Sequence, residues 1–319
     1  MTGTPGMLRR IAALACAGLA GIAPPAAAVN PGEVSGTAEA TCAYRAIGAQ
    51  HPDPKLRNRD EFAARLCRSR LPLPRDYAGA RSMIDNSGDT YAAYFYVNAR
   101  AHYIDAALQK AAAEGVEQVV VLGAGFDTRA YRFGATHPRL RFFEVDLPAT
   151  IEAKKSRVAE ALGSLPGNVR YAPIDFNTQK LEDVLPPLGY DAKQRAFFLL
   201  EGVVMYVNEP GNDATFRFMR GNSARGSVVV YDYVLKDIID GKLGNYYNAR
   251  LAISVAARGE PYVSGWTPAG AAAFAKRHGF RLVEDLDHKA LTRRHLVGSD
   301  GKPDGRMIDW HRIVELRVP

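Results

Sequence analysis

A β-branched run, Val119-Val120-Val121-Leu122, leads into Gly123-Ala124-Gly125 and then Phe126-Asp127-Thr128-Arg129. The run predicts a buried strand, and the polar residues after it a helix start. Glycines at such a turn let a ligand approach the backbone, because no Cβ stands in the way. The helix that follows offers free N–H groups and a positive dipole end. Asp127 or Thr128 is a natural N-cap. A bare Gly-x-Gly also arises from turn geometry alone, so the next run matters. Arg141-Phe142-Phe143-Glu144-Val145-Asp146 ends in acids, and Asp146 lies twenty-one residues after Gly125. An acid about 20 residues beyond the glycines is where α/β folds hold the hydroxyls of a nucleotide ribose. The dinucleotide pattern Gly-x-Gly-x-x-Gly is broken, however, because Phe126, Asp127 and Thr128 stand where a third glycine would admit a pyrophosphate. An acid there also opposes a diphosphate electrostatically. The pattern points to a nucleoside without phosphates, and S-adenosylmethionine is the common cofactor of that kind. Glu201 closes the run Phe197-Phe198-Leu199-Leu200, where a carboxylate is costly to bury unless it has a partner.

Four blocks follow one another: Gly123-Ala-Gly-Phe-Asp-Thr-Arg129, Phe142-Phe-Glu-Val-Asp-Leu-Pro148, Ile174-Asp175-Phe176 and Leu200-Glu-Gly-Val-Val-Met-Tyr206. Together they resemble the leucine carboxyl methyltransferase family, which includes polyketide O-methyltransferases and many bacterial relatives. The resemblance extends upstream through Ser35-Gly-Thr-Ala38, Tyr44-Arg45-Ala46, Asn98-Ala-Arg100 and Tyr103-Ile-Asp105, and downstream through Pro268–Phe280, so that it covers roughly residues 34–318. It implies a Rossmann-like class I methyltransferase that uses S-adenosyl-L-methionine. By this resemblance Arg100 pairs with the carboxylate of the cofactor's methionine portion, and Gly123 and Gly125 lie under that portion. Asp146 holds the ribose hydroxyls, with Glu144 as the other acid in reach. Asp175 accepts from the adenine amino group, Phe176 lies beside the ring, and Glu201 faces the ammonium. Glu201 and Tyr206 are the catalytic candidates, and Trp266 is placed near the acceptor. A helix-surface ion pair for Arg100, a core role for Phe176 and a packing-anchor role for Trp266 are the structural alternatives. Tyr231 and Tyr233 read as alternating along a strand, so that at most one faces the site.

The implied transfer asks little of the protein. A sulfonium methyl is already activated, and a carboxylate acceptor on a small molecule or peptide terminus is ionised at neutral pH, so no base is required. A hydroxyl acceptor would need one. The sequence shows no histidine at the end of a strand, which favours carboxyl methylation.

These residues need a sheet to converge on one place. Apolar runs at Val116–Leu122, Leu140–Val145, Val169–Ile174, Ala196–Leu200 and Ser227–Val234 alternate with helical segments at about Thr150–Leu162 and Asp213–Gly221. Arg281–Glu284 and His311–Val318 follow a helix at Thr267–His278 and read as an antiparallel edge pair. The fold class is therefore α/β, a seven-stranded mostly parallel sheet with helices on both faces. Residues 29–84 read as a linker and N-terminal helical cap, with helices at Ala38–Ala46 and Glu61–Cys67. Residues 85–319 are the cofactor-binding domain, opening on a long helix at Tyr91–Lys110, and 236–262 is a lid-like insertion after the fifth strand.

The 319 residues carry a formal charge of +7, spread along the chain without a recognition-helix or RNA-binding motif, so nucleic acid is not an expected partner. The seven histidines are scattered and no Cys-x-x-Cys or His-Glu-x-x-His occurs, so no metal is expected. Residues 1–28 have the basic start, apolar run and small-residue close of a signal peptide, and no later segment suits stable membrane insertion. Export to a periplasmic or secreted location sits poorly with an intracellular cofactor, and a start nearer Val29 or Val34 would make the protein cytoplasmic. Cys42 and Cys67 could form a bridge or remain as core thiols. Two other classes stay open, an exported non-catalytic ligand-binding module on the same fold and a nicotinamide-dependent oxidoreductase.

Overall fold

The structure, a computed structural model, describes residues 32–68, 72–88, 91, 93–176 and 178–319. The signal-like segment 1–28 lies outside the described residues. Strands β1 (Gln118–Leu122), β2 (Arg141–Asp146), β3 (Val169–Pro173), β4 (Ala196–Leu200), β5 (Val228–Val234), β6 (Arg281–Leu286) and β7 (His311–Arg317) form one sheet in the order β3-β2-β1-β4-β5-β7-β6. The first five are parallel. The last two are antiparallel to each other, as read from the sequence, but they do not form a simple edge pair: β7 inserts between β5 and β6 and is antiparallel to both. β6 is the outer strand, and Leu282 and Val283 on it are exposed.

Every residue of β1, β4 and β5 is buried, as expected of parallel strands covered on both faces. Alternate residues feed two apolar layers. Val119, Val121, Phe197 and Leu199 pack with the long helix before the sheet, and Val120, Leu122, Phe198 and Val229 pack against the opposite layer with Phe216 and Phe274. Tyr231 and Tyr233, two residues apart, share that second face. The expectation that they alternate was wrong, since strand side chains repeat every second residue. Tyr231 lies against Phe216 and Trp266, and Tyr233 donates to Asp285 at 2.9 Å. Trp266 packs on both tyrosines and on Phe274, so it is a core anchor and does not line the cavity described below.

Helices α1 (Gly36–Gly48), α2 (Ala63–Leu66) and α3 (Tyr77–Asn86) build the cap, and α4 (Ala93–Ala113) is the long helix that opens the domain. The crossovers carry α5 (Arg129–Thr136), α6 (Pro148–Leu162), α7 (Leu181–Val184) and α8 (Glu209–Gly221). The insertion holds α9 (Lys236–Ile239) and α10 (Arg250–Ala256), and α11 (Pro268–Arg277) and α12 (His288–His295) flank β6. The start of α5 refines the cap reading: Thr128 occupies the N-cap position without a side-chain bond to the helix N–H groups, its hydroxyl donating to Asp60 instead, and Asp127 Oδ1 accepts from Arg129 N at 2.7 Å. Cys42 and Cys67 are not joined by a disulfide. Among the described residues no helix is long and apolar enough to cross a membrane.

The cap is keyed to the sheet through α4. Asn98 donates to Tyr94 O at 2.9 Å and accepts from Asn58 Nδ2 at 2.6 Å, and Asn58 also reaches Arg45 O at 2.8 Å. Gly48 closes α1 directly over this amide pair: a Cβ there would stand 1.9 Å from Asn98 Oδ1. Gly48→Ala is therefore expected to destabilise the protein by ~1–3 kcal/mol through overpacking, lowering the thermal midpoint by several degrees. A melting curve that overlays the wild type would contradict this packing.

Candidate active site

Parallel strands deliver their last residues to one edge of the sheet, and a cavity of about 250 Å³ opens there beneath α1. Gly123 and Gly125 after β1, Asp146 ending β2, Asp175 and Phe176 after β3, and Glu201 after β4 all line it. Arg100 and Tyr206 line it as well. Of the sequence-expected cofactor-binding and catalytic residues only Glu144 is absent, and Trp266, expected near the acceptor, lies in the core instead. The Glu144 carboxylate turns into the sheet–helix layer, 2.8 Å from Lys154 Nζ and within 3.0 Å of the Tyr131 hydroxyl, and both members of the ion pair are fully buried. Burial pushes the Glu144 carboxyl up to about 7 against the opposing charge of Lys154. Glu144 is thus a structural acid, and Asp146, at the rim, is the one that faces the cavity. Lys154→Met should cost ~3–5 kcal/mol by stranding that carboxylate, whereas the double change with Glu144→Leu should recover most of it. Equal melting of the two variants would show that the pair is not the source of the loss.

The glycines meet two different demands. Gly123 has φ +66°, and a Cβ there would fall 2.3 Å from Val203 Cγ2. Gly125 has φ +43° and sits under Ala38 of α1, while its N–H donates to Asp146 Oδ2 at 2.5 Å. Asp146 Oδ1 also accepts from Leu147 N at 2.7 Å. One carboxylate therefore ties the β1 turn to the end of β2. Burial raises its carboxyl above the ordinary value, with those two N–H groups opposing.

Between β1, β4 and β5 lies a buried charge network. Arg129 Nη1 pairs with Glu201 Oε2 at 2.7 Å and with Asp127, and Arg129 Nε with Asp105 Oδ1 at 2.7 Å. Arg100 Nη1 pairs with Asp232 Oδ2 at 2.5 Å, and its Nε lies 3.1 Å from Glu201 Oε1. Asp232 also accepts from Gly202 N at 2.6 Å and from the Tyr96 hydroxyl at 3.0 Å. Burial works against ionisation of Asp127, yet the Arg129 guanidinium holds its carboxyl down at about 2. Arg100 is accordingly not a surface ion pair. It is anchored by two carboxylates, and its Nη2 makes no hydrogen bond among the described residues. Glu201 Oε1 is out of line for a hydrogen bond with Arg100 and has accepting capacity left.

Tyr206 faces Tyr262 with ring centroids 5.2 Å apart. Burial, with Tyr262 beside it, pushes its phenol well above the ordinary value, so it is suited to donate and not to act as a base. Four residues of this region were invisible in the sequence reading: Asp232, Tyr262, His311 and Glu260. Glu260, in the insertion, accepts from Gly36 N at 2.6 Å and from Thr37 N and the Thr37 hydroxyl, thereby capping the first turn of α1 over the cavity. Glu260→Ala should release that turn, and amide exchange over residues 36–41 should rise roughly tenfold, as loss of a cap worth about 1 kcal/mol or slightly more would give. Unchanged exchange would mean that the latch holds nothing.

A twisted, mostly parallel sheet with a glycine turn after β1 and acids closing β2 and β4 around one cavity is the fold and site of a class I methyltransferase. The leucine carboxyl methyltransferase family model matches residues 38–220, and the chain belongs to that family of S-adenosylmethionine-dependent methyltransferases. YktD of Bacillus subtilis, described as an S-adenosyl-L-methionine-dependent methyltransferase, is 31% identical over 188 residues, 59% of this chain and 62% of that protein. A Mycolicibacterium paratuberculosis protein of the same description is 29% identical over 299 residues, 84% of this chain and 92% of its own length. The crystal structure of a DUF574 family protein from Streptomyces avermitilis superposes with a TM-score of 0.53 at 19% identity, over 80% of this chain and 94% of that one, and shows the shared fold.

Proposed function

We propose that this chain binds S-adenosylmethionine in the sheet-edge cavity and methylates an oxygen of a small-molecule or peptide-terminus acceptor. The observation that carries the reading is the convergence of Gly123, Gly125, Asp146, Asp175, Phe176 and Glu201 from four adjacent parallel strands onto one cavity. Asp146 would take the ribose hydroxyls, and Asp175 and Phe176 the adenine. Glu201 Oε1 would take the ammonium and Arg100 Nη2 the methionine carboxylate. The donor set fits: two oxygen acceptors for hydroxyls and ammonium, one spare guanidinium nitrogen for a carboxylate, and a turn with no Cβ.

When bound, S-adenosylmethionine supplies an activated methyl, whose carbon passes to the acceptor oxygen while the S–C electron pair stays on sulfur as a thioether. The chain's own part is to orient acceptor and donor in line and to exclude water. Latching α1 with Glu260 serves the second task. A carboxylate acceptor would require nothing further, being ionised at neutral pH. A hydroxyl acceptor would require a base, and His311 in the cavity wall favours that second reading.

Isothermal titration of the full chain with S-adenosylmethionine and S-adenosylhomocysteine tests the proposal. Binding in the micromolar range, ~8 kcal/mol, is expected, and Asp146→Ala should weaken it at least tenfold. Heat traces without binding in the wild type would refute the proposal.

A further inference from the structure

His311 is the first residue of β7, and it pairs in register with Val234 at the end of β5. Because β7 runs against β5, its beginning reaches the same sheet edge as the ends of the parallel strands. The imidazole lines the cavity, and the residue is 6% exposed. Nδ1 stands 3.6 Å from Asp232 Oδ2, just outside hydrogen-bond reach. Nε2 has no hydrogen-bond partner among the described residues. The ring is held by Tyr96 of α4 at 4.7 Å between centroids, by Tyr262 of the insertion at 6.3 Å and by Trp310 at 4.4 Å.

The polar and charged groups facing the ring come from three elements: Asp232 on β5, Arg100 and Tyr96 on α4, and Tyr262. Burial pushes the imidazole below its ordinary value against the pull of Asp232, and Arg100 acts in the same direction as burial. The ring is therefore neutral at pH 7. Despite its burial, Asp232 is held well below the usual carboxylate range by Arg100, so it remains an anion facing Nδ1. A neutral imidazole with its proton toward that anion leaves the Nε2 lone pair for the cavity. The adjoining wall is apolar, with Ala93, Val97, Leu251 and Ile308.

We propose that His311 is the general base for a hydroxyl acceptor, a phenol or alcohol on a largely apolar molecule, and that Asp232 is its positioning residue. This rests on the methyl-transfer reading above. The acceptor O–H bond breaks as its oxygen gains the methyl, the proton passes to Nε2, and Asp232 balances the resulting imidazolium. Nε2 then returns the proton to water when the methyl ether leaves. Asp232 is suited to this because Gly202 N, Tyr96 and Arg100 fix its carboxylate.

The test uses the full chain saturated with S-adenosylhomocysteine and 4-nitrophenol as probe, read by phenolate absorbance across pH. The bound probe should ionise at lower pH than in buffer, and His311→Gln should abolish that shift while binding S-adenosylhomocysteine within twofold of wild type. With S-adenosylmethionine, His311→Gln should slow transfer to the phenol by ~10²–10⁴. As a check on the unaltered protein, ¹⁵N NMR should find a neutral, Nδ1-protonated His311 at pH 7 that becomes protonated on both nitrogens when the phenol binds. A probe that is not bound, that ionises as in buffer, or that ionises identically in His311→Gln overturns the assignment. Failure of the wild type to bind S-adenosylhomocysteine at all would instead strike the methyltransferase reading beneath it.

Discussion

Carboxylates placed at the ends of buried parallel strands need counter-charges, and in this fold two guanidiniums supply them. Arg100 and Arg129 are almost wholly buried and together bind Asp105, Asp127, Glu201 and Asp232. Removing one member of such a network strands a charge away from water, a loss far larger than the net worth of an intact pair. The network therefore fixes how α4, which carries Arg100 and Asp105, lies against the ends of β1, β4 and β5. Everything at the cavity inherits that alignment. Glu201 presents only one oxygen, Arg100 keeps one nitrogen in reserve, and Asp232 is immobilised below His311.

A second constraint closes the cavity from above. The insertion after β5 returns to the sheet edge, where Val263 N donates to Met205 O at 2.7 Å and Ser264 to Val204 O at 3.0 Å. Glu260, a few residues earlier, caps α1. Two segments far apart in the chain, 36–41 and 260–264, are thereby joined across the cavity mouth. Ser35 and Thr37 at the start of α1 line the cavity together with Glu260, so the order of the cap and the shape of the cavity are linked.

Much of this was legible in the sequence. Continuous β-branched and aromatic runs do mark strands buried on both faces, and the seven runs fell on the seven strands. The glycine turn and the acids that follow runs two, three and four were also readable, because parallel strands place their ends together whatever the packing details. What escaped depended on contacts distant in sequence. That Glu144 is a structural acid is not legible in a linear run, because its partner Lys154 lies on α6. The internal anchoring of Arg100 is not legible because its two carboxylates lie 101 and 132 positions away. His311 is hidden because it opens an antiparallel strand, whose beginning and not its end occupies that edge. Tyr231 and Tyr233, two apart on a strand, share one face and do not alternate.

At the centre is the proposed nucleoside site formed by the ends of β1 to β4, its methionine end held by Glu201 and Arg100. A crystal structure of the full chain with S-adenosylhomocysteine tests it most directly. Ribose hydroxyls on Asp146, adenine beside Asp175 and Phe176, and the ammonium on Glu201 Oε1 are the predicted contacts. A ligand bound elsewhere, or one in the cavity with its amino-acid portion turned away from Glu201 and Arg100, would contradict it.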